Sequence, residues 1–120
     1  AISSINALDF VQNGLIPKGY SVEVWNFGSP RIGNEEWTEL YMSYNFPTYR
    51  VVNNADLVPH LPLLVMDFMH VPTEIWETPG PKYTVCSSFF GEDPFCSDSV
   101  LIPLQLEDHM SYMTLDFNQC

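Results

Sequence analysis

Residues 21–56 read SVEVWNFGSPRIGNEEWTELYMSYNFPTYRVVNNAD, and this stretch decides the fold. Residues 21–27 are short and rich in strand formers, and Gly28-Ser29-Pro30 ends them. Asn34 has the chemistry of a helix cap, with Glu35 and Glu36 in the first turn where the helix dipole favours anions. Trp37, Leu40, Tyr41 and Tyr44 then fall at i, i+3, i+4 and i+7, the spacing of a buried helical stripe. Pro47 stops the helix, and residues 48–53 form a second strand. Strand, helix and strand with short links predict a βαβ unit with parallel strands and a right-handed crossover. The carboxyl ends of both strands then share one rim of the sheet, with Pro30 and Asp56 on it. In open α/β sheets that rim is where chemistry is done.

Outward from this core the signals weaken. Upstream, Ala1, Ile2, Ile5, Leu8 and Val11 make one face of a helix, Gly14 is a plausible stop, and Pro17-Lys18-Gly19 is a turn. The chain opens in helical periodicity with neither Met nor a cap, which suggests that the natural protein extends upstream. Downstream of Asp56 the chain turns proline-rich. Short strands are expected at 70–76 and 82–86. Cys86 and Cys96 bracket a Gly-Glu-Asp-Pro turn, with enough residues between them for a local disulfide loop. Asp108 is read as the cap of a last helix running from His109 to about Phe117.

Composition narrows the function. The 120 residues carry 15 Asp and Glu against 4 Lys and Arg, a formal net charge of −11. So few cations cannot neutralise a nucleic-acid backbone, and the acidic excess repels phosphate and anionic headgroups. No apolar run approaches the ~20 residues that span a bilayer. Three Trp, six Tyr and eight Phe argue for a packed core rather than disorder.

Two residues are candidates for acid–base work. Asp56 lies just past a strand among apolar neighbours, placed to hold a histidine in one tautomer; an Asx-turn that bonds its own backbone is the plainer reading. His109 stands at a loop-to-helix junction and titrates near neutrality, as a general base must; a solvated histidine beside Glu107 and Asp108 is the plainer reading. His60, Asp67, His70, Glu74 and Asp108 offer metal-ligand atoms, but without the spacing of a helical metal site, so a metal-dependent hydrolase is the weaker reading. No serine sits in Gly-x-Ser-x-Gly; Ser29 follows a strand, but Pro30 has no N–H to offer an oxyanion. The chain thus presents a base and an orienting carboxylate without a nucleophile.

Four stretches, in order, resemble the class 3 lipases of fungal type, a branch of the α/β-hydrolases. They are WNFGSPRIGN at 25–34, YRVVNNADLVPHLP at 49–62, HVPTEIW at 70–76 and DHMSYM at 108–113. The resemblance implies a partial α/β-hydrolase fold: a parallel βαβ core, then irregular strands and a C-terminal helix. It assigns the triad Asp to Asp56 and the triad His to His109. The family's elbow, Gly-His-Ser-Leu-Gly-Gly, precedes a small-residue helix of the kind that opens here with Ala1-Ile2-Ser3-Ser4, so the resemblance implies that the nucleophile, lid and second oxyanion donor belong to an absent N-terminal half. Cys86 and Cys96 resemble a local disulfide of the family, and Cys120 a terminal cysteine that bridges to that N-terminal half. Pro30, Val58 and Leu61, with Ile102 and Leu104, are expected to line an acyl-chain pocket. His70 is assigned to structure. Ala55, the apolar 63–69 segment and Met113 depart from the family pattern.

The implied protein is a secreted, extracellular serine lipase or esterase. It acts on carboxylic esters of acylglycerol type, touches the lipid–water interface transiently, and needs no cofactor, metal or nucleic acid. Alone, the chain is expected to be inert and to expose an unpaired, aggregation-prone sheet edge. The alternative is a non-catalytic lipase-like binding module.

Overall fold

The computed structural model describes residues 1–80, 82–87 and 91–119. It contains the βαβ unit: β1 (Val24–Phe27), α2 (Glu35–Ser43) and β2 (Thr48–Asn53), preceded by α1 (Ile2–Gln12). β3 (Glu74–Thr78) and β4 (Lys82–Val85) complete a four-stranded sheet in the order β1-β2-β3-β4. The first two pairings are parallel, with Val24 opposite Thr48 and Arg50 opposite Glu74; β4 returns antiparallel. The carboxyl ends of β1 and β2 therefore share a rim, as the crossover requires. No helix among the described residues is long and apolar enough to cross a membrane.

The Asn34 cap forms: its side-chain oxygen accepts the Trp37 N–H at 3.1 Å. Tyr41 is buried with Leu8 and Val71, and Trp37, Tyr44 and Phe46 pack against them. Leu40, expected in the stripe, is exposed, and Thr38 takes the inward position. The buried face of α1 is likewise shifted. It is Ser4, Ala7 and Leu8, while Ile2 and Ile5 point outward. The cause is Asn26 on the inner face of β1, which donates to Ser4 Oγ at 2.9 Å and accepts from Ser3 Oγ. A buried amide needs such partners, and small residues let the helix approach closely enough to supply them.

The expected C-terminal helix is absent. Glu107–Met110 is a single 3-10 turn, followed by a tight hairpin of β5 (Ser111–Tyr112) and β6 (Leu115–Asp116). Met113 and Thr114 both take positive φ, as a two-residue hairpin turn demands. Asn53 at the end of β2 explains the difference. Its side-chain amide donates to the carbonyls of Asp108 and Ser111 at 3.0 and 2.8 Å, oxygens a helix would have used itself. Asp108 does not cap; its Oδ2 accepts the Ala55 N–H at 3.0 Å and the Asn54 side-chain amide at 2.9 Å.

Cys86 and Cys96 form a disulfide that closes the loop carrying Gly91 and Glu92. Cys120 lies outside the described residues. Gly91 has φ +70°, and a Cβ there would meet the His70 carbonyl oxygen at 2.2 Å. Gly91→Ala is therefore expected to destabilise the chain by ~2 kcal/mol or more, read as a lower urea midpoint; an unchanged midpoint would show that the loop is free to move away.

Candidate active site

Asp56 sits three residues past β2 and is fully buried. Its backbone is fixed by a turn bond from its own N–H to the Asn53 carbonyl at 2.9 Å. Its two oxygens then divide their partners. Oδ1 accepts the Val58 N–H at 2.8 Å, which is the Asx-turn. Oδ2 accepts His109 Nδ1–H at 2.9 Å, which is the imidazole-orienting pair. Asp56 thus makes both the Asx-turn bond and a bond to the His109 ring, one per oxygen. His109 is 32% exposed at its side chain, so the pair runs from a buried anion to an accessible ring.

A third donor was missed by sequence reasoning. The Tyr112 hydroxyl, from the hairpin, donates to the same Asp56 Oδ2. Burial, then the hydrogen bond and charge of Asp56, push the Tyr112 phenol far above its usual range, so it stays a donor. The signal available was a tyrosine three residues after the histidine, in His109-Met110-Ser111-Tyr112. Gly28 was also missed as a site residue. It has φ +59°, and a Cβ there would stand 2.7 Å from His109 Nδ1 and Cε1, so the end of β1 must lack a side chain for the ring to dock.

The other histidines serve the fold. His60 Nδ1–H donates to the Asp56 carbonyl at 2.8 Å, and His70 Nε2–H to the Pro59 carbonyl at 2.7 Å. Burial, then the charge of Arg50, hold His70 well below the usual imidazole range. Thus the five candidate metal ligands of the sequence are not brought together. Among the described residues Glu74, Cys86 and Cys96 converge, but the two sulfurs are bonded to each other. Ser29 is buried, and its hydroxyl donates to the Pro30 carbonyl at 3.2 Å.

Of the expected pocket residues, Pro30 and Val58 are half-buried, whereas Leu61, Ile102 and Leu104 are exposed. None lines the apolar cavity of about 330 Å³ formed beside Tyr112 by Phe27, Met113, Leu115 and Phe117. Behind Asp56 lies an ionic cluster that the sequence did not reveal. Arg31 grips both oxygens of Glu92, at 2.8 and 2.9 Å, and approaches Asp98 at 3.6 Å. Burial would raise the Glu92 carboxyl, but hydrogen bonds and charge from Arg31 hold it below its ordinary value. Burial, then the hydrogen bond and charge of Glu92, push Asp98 up to about 6.

A parallel-sheet rim bearing a buried carboxylate on an accessible imidazole defines a partial α/β-hydrolase. The sequence profile of the class 3 lipases matches residues 1–66. The lipase of Rhizomucor miehei is 31% identical over 122 aligned residues, covering 100% of this chain and 33% of that protein. Secreted mono- and diacylglycerol lipase 1 of Fusarium solani is 34% identical over 70 residues, 56% of this chain and 21% of that protein. A solved triacylglycerol lipase whose catalytic centre is a serine protease triad superposes with TM-score 0.82 at 33% identity, covering 94% of this chain and 43% of that one. The chain belongs to the class 3 lipase family, and it spans about a third of the length of the Rhizomucor relative.

Gly28→Ala is expected to remove the downfield Nδ1 proton signal that marks His109 bonded to Asp56, while far-UV circular dichroism is retained; a persisting signal would mean that the ring and loop yield together. The raised pKa of Asp98 carries a pH prediction. The folded chain holds this proton more tightly than the unfolded chain, so the stabilisation is complete below about pH 4 and is lost as pH rises through about 6. Asp98→Asn should therefore raise the urea midpoint, relative to the parent, more at about pH 7.5 than at about pH 4.5. His70 acts oppositely: its lowered pKa gives stability present above its unfolded value and lost as pH falls.

Proposed function

We propose that this chain supplies the acid–base half of a secreted serine lipase, with Asp56 and His109 as two members of a Ser-His-Asp triad. The observation that carries this reading is the 2.9 Å bond from His109 Nδ1–H to a carboxylate oxygen with no solvent exposure. That bond fixes the tautomer, leaving Nε2 as the base. His109 takes the proton of the attacking serine, then returns it to the leaving alcohol; Asp56 stabilises the imidazolium formed between the two steps. Tyr112 and the Val58 N–H hold the Asp56 carboxylate in place for that purpose.

The serine, the oxyanion donors and the lid belong to a segment upstream of Ala1, as does the disulfide partner of Cys120. The chain's one-third share of its Rhizomucor relative supports this division. The substrate is a carboxylic ester of acylglycerol type, met at a lipid–water surface. Exposed Leu61, Ile102 and Leu104, with Val58 and Pro30, receive its acyl chain. Likeness to a secreted fungal mono- and diacylglycerol lipase and the Cys86–Cys96 disulfide support an extracellular location.

The test uses p-nitrophenyl butyrate. The 120-residue chain should show no hydrolysis above buffer, because loss of the nucleophile costs on the order of 10⁶ in turnover in a triad hydrolase. In the polypeptide extended upstream through its serine, Asp56→Asn should lower kcat on the order of 10⁴-fold and His109→Ala at least as far. Parent-like rates in either variant would refute the assignment. An extended polypeptide without any hydrolysis would favour a non-catalytic lipase-like module.

A further inference from the structure

The loop that leaves Asp56 has little regular structure, yet it is held at three consecutive carbonyls by one residue. The Arg31 backbone N–H donates to the Leu61 carbonyl at 2.8 Å. Its Nη1 donates to the His60 and Pro62 carbonyls at 2.7 and 3.0 Å. The guanidinium is buried, and its remaining edge, Nε and Nη2, is filled by Glu92 in a two-bond fork. Planar guanidinium–carboxylate forks fix orientation as well as charge. Glu92 is itself tied down: its Oε1 accepts the His70 N–H at 2.9 Å, and the disulfide closes its loop.

We infer that Glu92 is a positioning residue for acyl-chain selection, acting through Arg31 on the 58–62 loop that carries Val58 and Leu61. Glu92 touches neither Asp56 nor His109. Asp56 keeps the Asn53 turn, His109 and Tyr112 when that loop loosens, because those three bonds come from elsewhere in the fold. Val58, Pro59 and His60 are also held, by Asp56 Oδ1, His70 Nε2–H and the Asp56 carbonyl, but the carbonyls of His60, Leu61 and Pro62 take their bonds from Arg31. Removing the Glu92 charge therefore uncouples the two functions of the rim: proton transfer stays, and discrimination by chain length falls. This rests on the reading of the site as an ester hydrolase.

The experiment compares Glu92→Gln, Arg31→Gln and the double variant in the upstream-extended polypeptide, using p-nitrophenyl esters of butyrate and octanoate. Glu92→Gln should lower kcat/KM for octanoate by about tenfold, mainly through KM, and change the butyrate value by less than about twofold. In the Arg31→Gln background the same change should have no further effect on the octanoate-to-butyrate ratio, since Glu92 reaches the 58–62 loop through the guanidinium. Equal losses on both esters, or additive losses in the double variant, would overturn the proposal, because either is what simple destabilisation produces. Hydrogen exchange followed by mass spectrometry gives a readout independent of turnover. Glu92→Gln should speed exchange across 58–66 and leave 107–112 unchanged; unaltered 58–66 protection overturns the inference even if no ester is hydrolysed. Absence of hydrolysis in the parent, with the exchange change present, would count against the ester-hydrolase reading and leave the Glu92–Arg31 clamp standing.

Discussion

A carboxylate with no solvent exposure stands just past the end of β2, and much of the rim is arranged to supply its hydrogen-bond donors. An unpaired buried anion would protonate or unfold its surroundings. Three donors prevent this, each from a different piece of chain: the Val58 N–H from a 3-10 turn, His109 Nδ1–H from a second turn, and the Tyr112 hydroxyl from a hairpin. Bringing the C-terminal segment home and satisfying the Asp56 charge are thus one event. Asp56 is at once the orienting group of the pair and the point to which the last third of the chain is fastened.

The same logic operates on the buried cations, with the signs reversed. The chain has four Lys and Arg residues, and two of them, Arg31 and Arg50, are buried. Arg50 on β2 donates to the Val71 and Gly91 carbonyls at 2.7 and 2.8 Å and pairs with Glu74 on β3 at 3.3 Å. Burial lowers its pKa, and Glu74 and Glu92 oppose that shift. Breaking either ion pair from one side would strand a charge in low dielectric, which costs far more than the pair contributes when intact. Arg31 and Arg50 converge on the Cys86–Cys96 loop, through Glu92 and Gly91 respectively. The disulfide therefore secures the counter-charge of Arg31 and a carbonyl partner of Arg50 rather than merely closing a turn.

What the sequence made legible was local or periodic. The βαβ unit followed from two strand-forming runs, an aromatic stripe and the Asn34 cap, all of which act within a few residues. The family motifs placed Asp56 and His109, and the structure brings them together across a separation of 53 residues. What stayed hidden was settled by distant partners. The C-terminal helix failed because Asn53, more than fifty residues upstream, captures the carbonyls it needed. The inner face of α1 was mispredicted because an amide on β1, not apolar area, chose which side turns inward. Nothing local to Arg31 and Arg50 points to their partners Glu92 and Glu74, which the fold supplies. Tyr112 entered only as a letter of the 108–113 motif, although its hydroxyl is what ties the hairpin to the site.

The irregular half of the chain shows what replaces a hydrogen-bond ladder. Buried backbone groups must be paired, and outside the sheet few strands are present to pair them. Side chains take over: Arg31 on residues 60 and 62, Asn53 on 108 and 111, Asp108 on 55, Trp76 Nε1–H on the Asn54 carbonyl at 2.9 Å, and Glu77 on the Met113 N–H at 3.0 Å. Proline suits such a region, since it brings a carbonyl to be captured without an N–H that needs a partner. Pro59 and Pro62 are used in this way, the first accepting from His70 and the second from Arg31. Polar side chains in this segment therefore do the work that strand pairing does elsewhere. A substitution at one of them is equivalent to cutting a rung of a sheet.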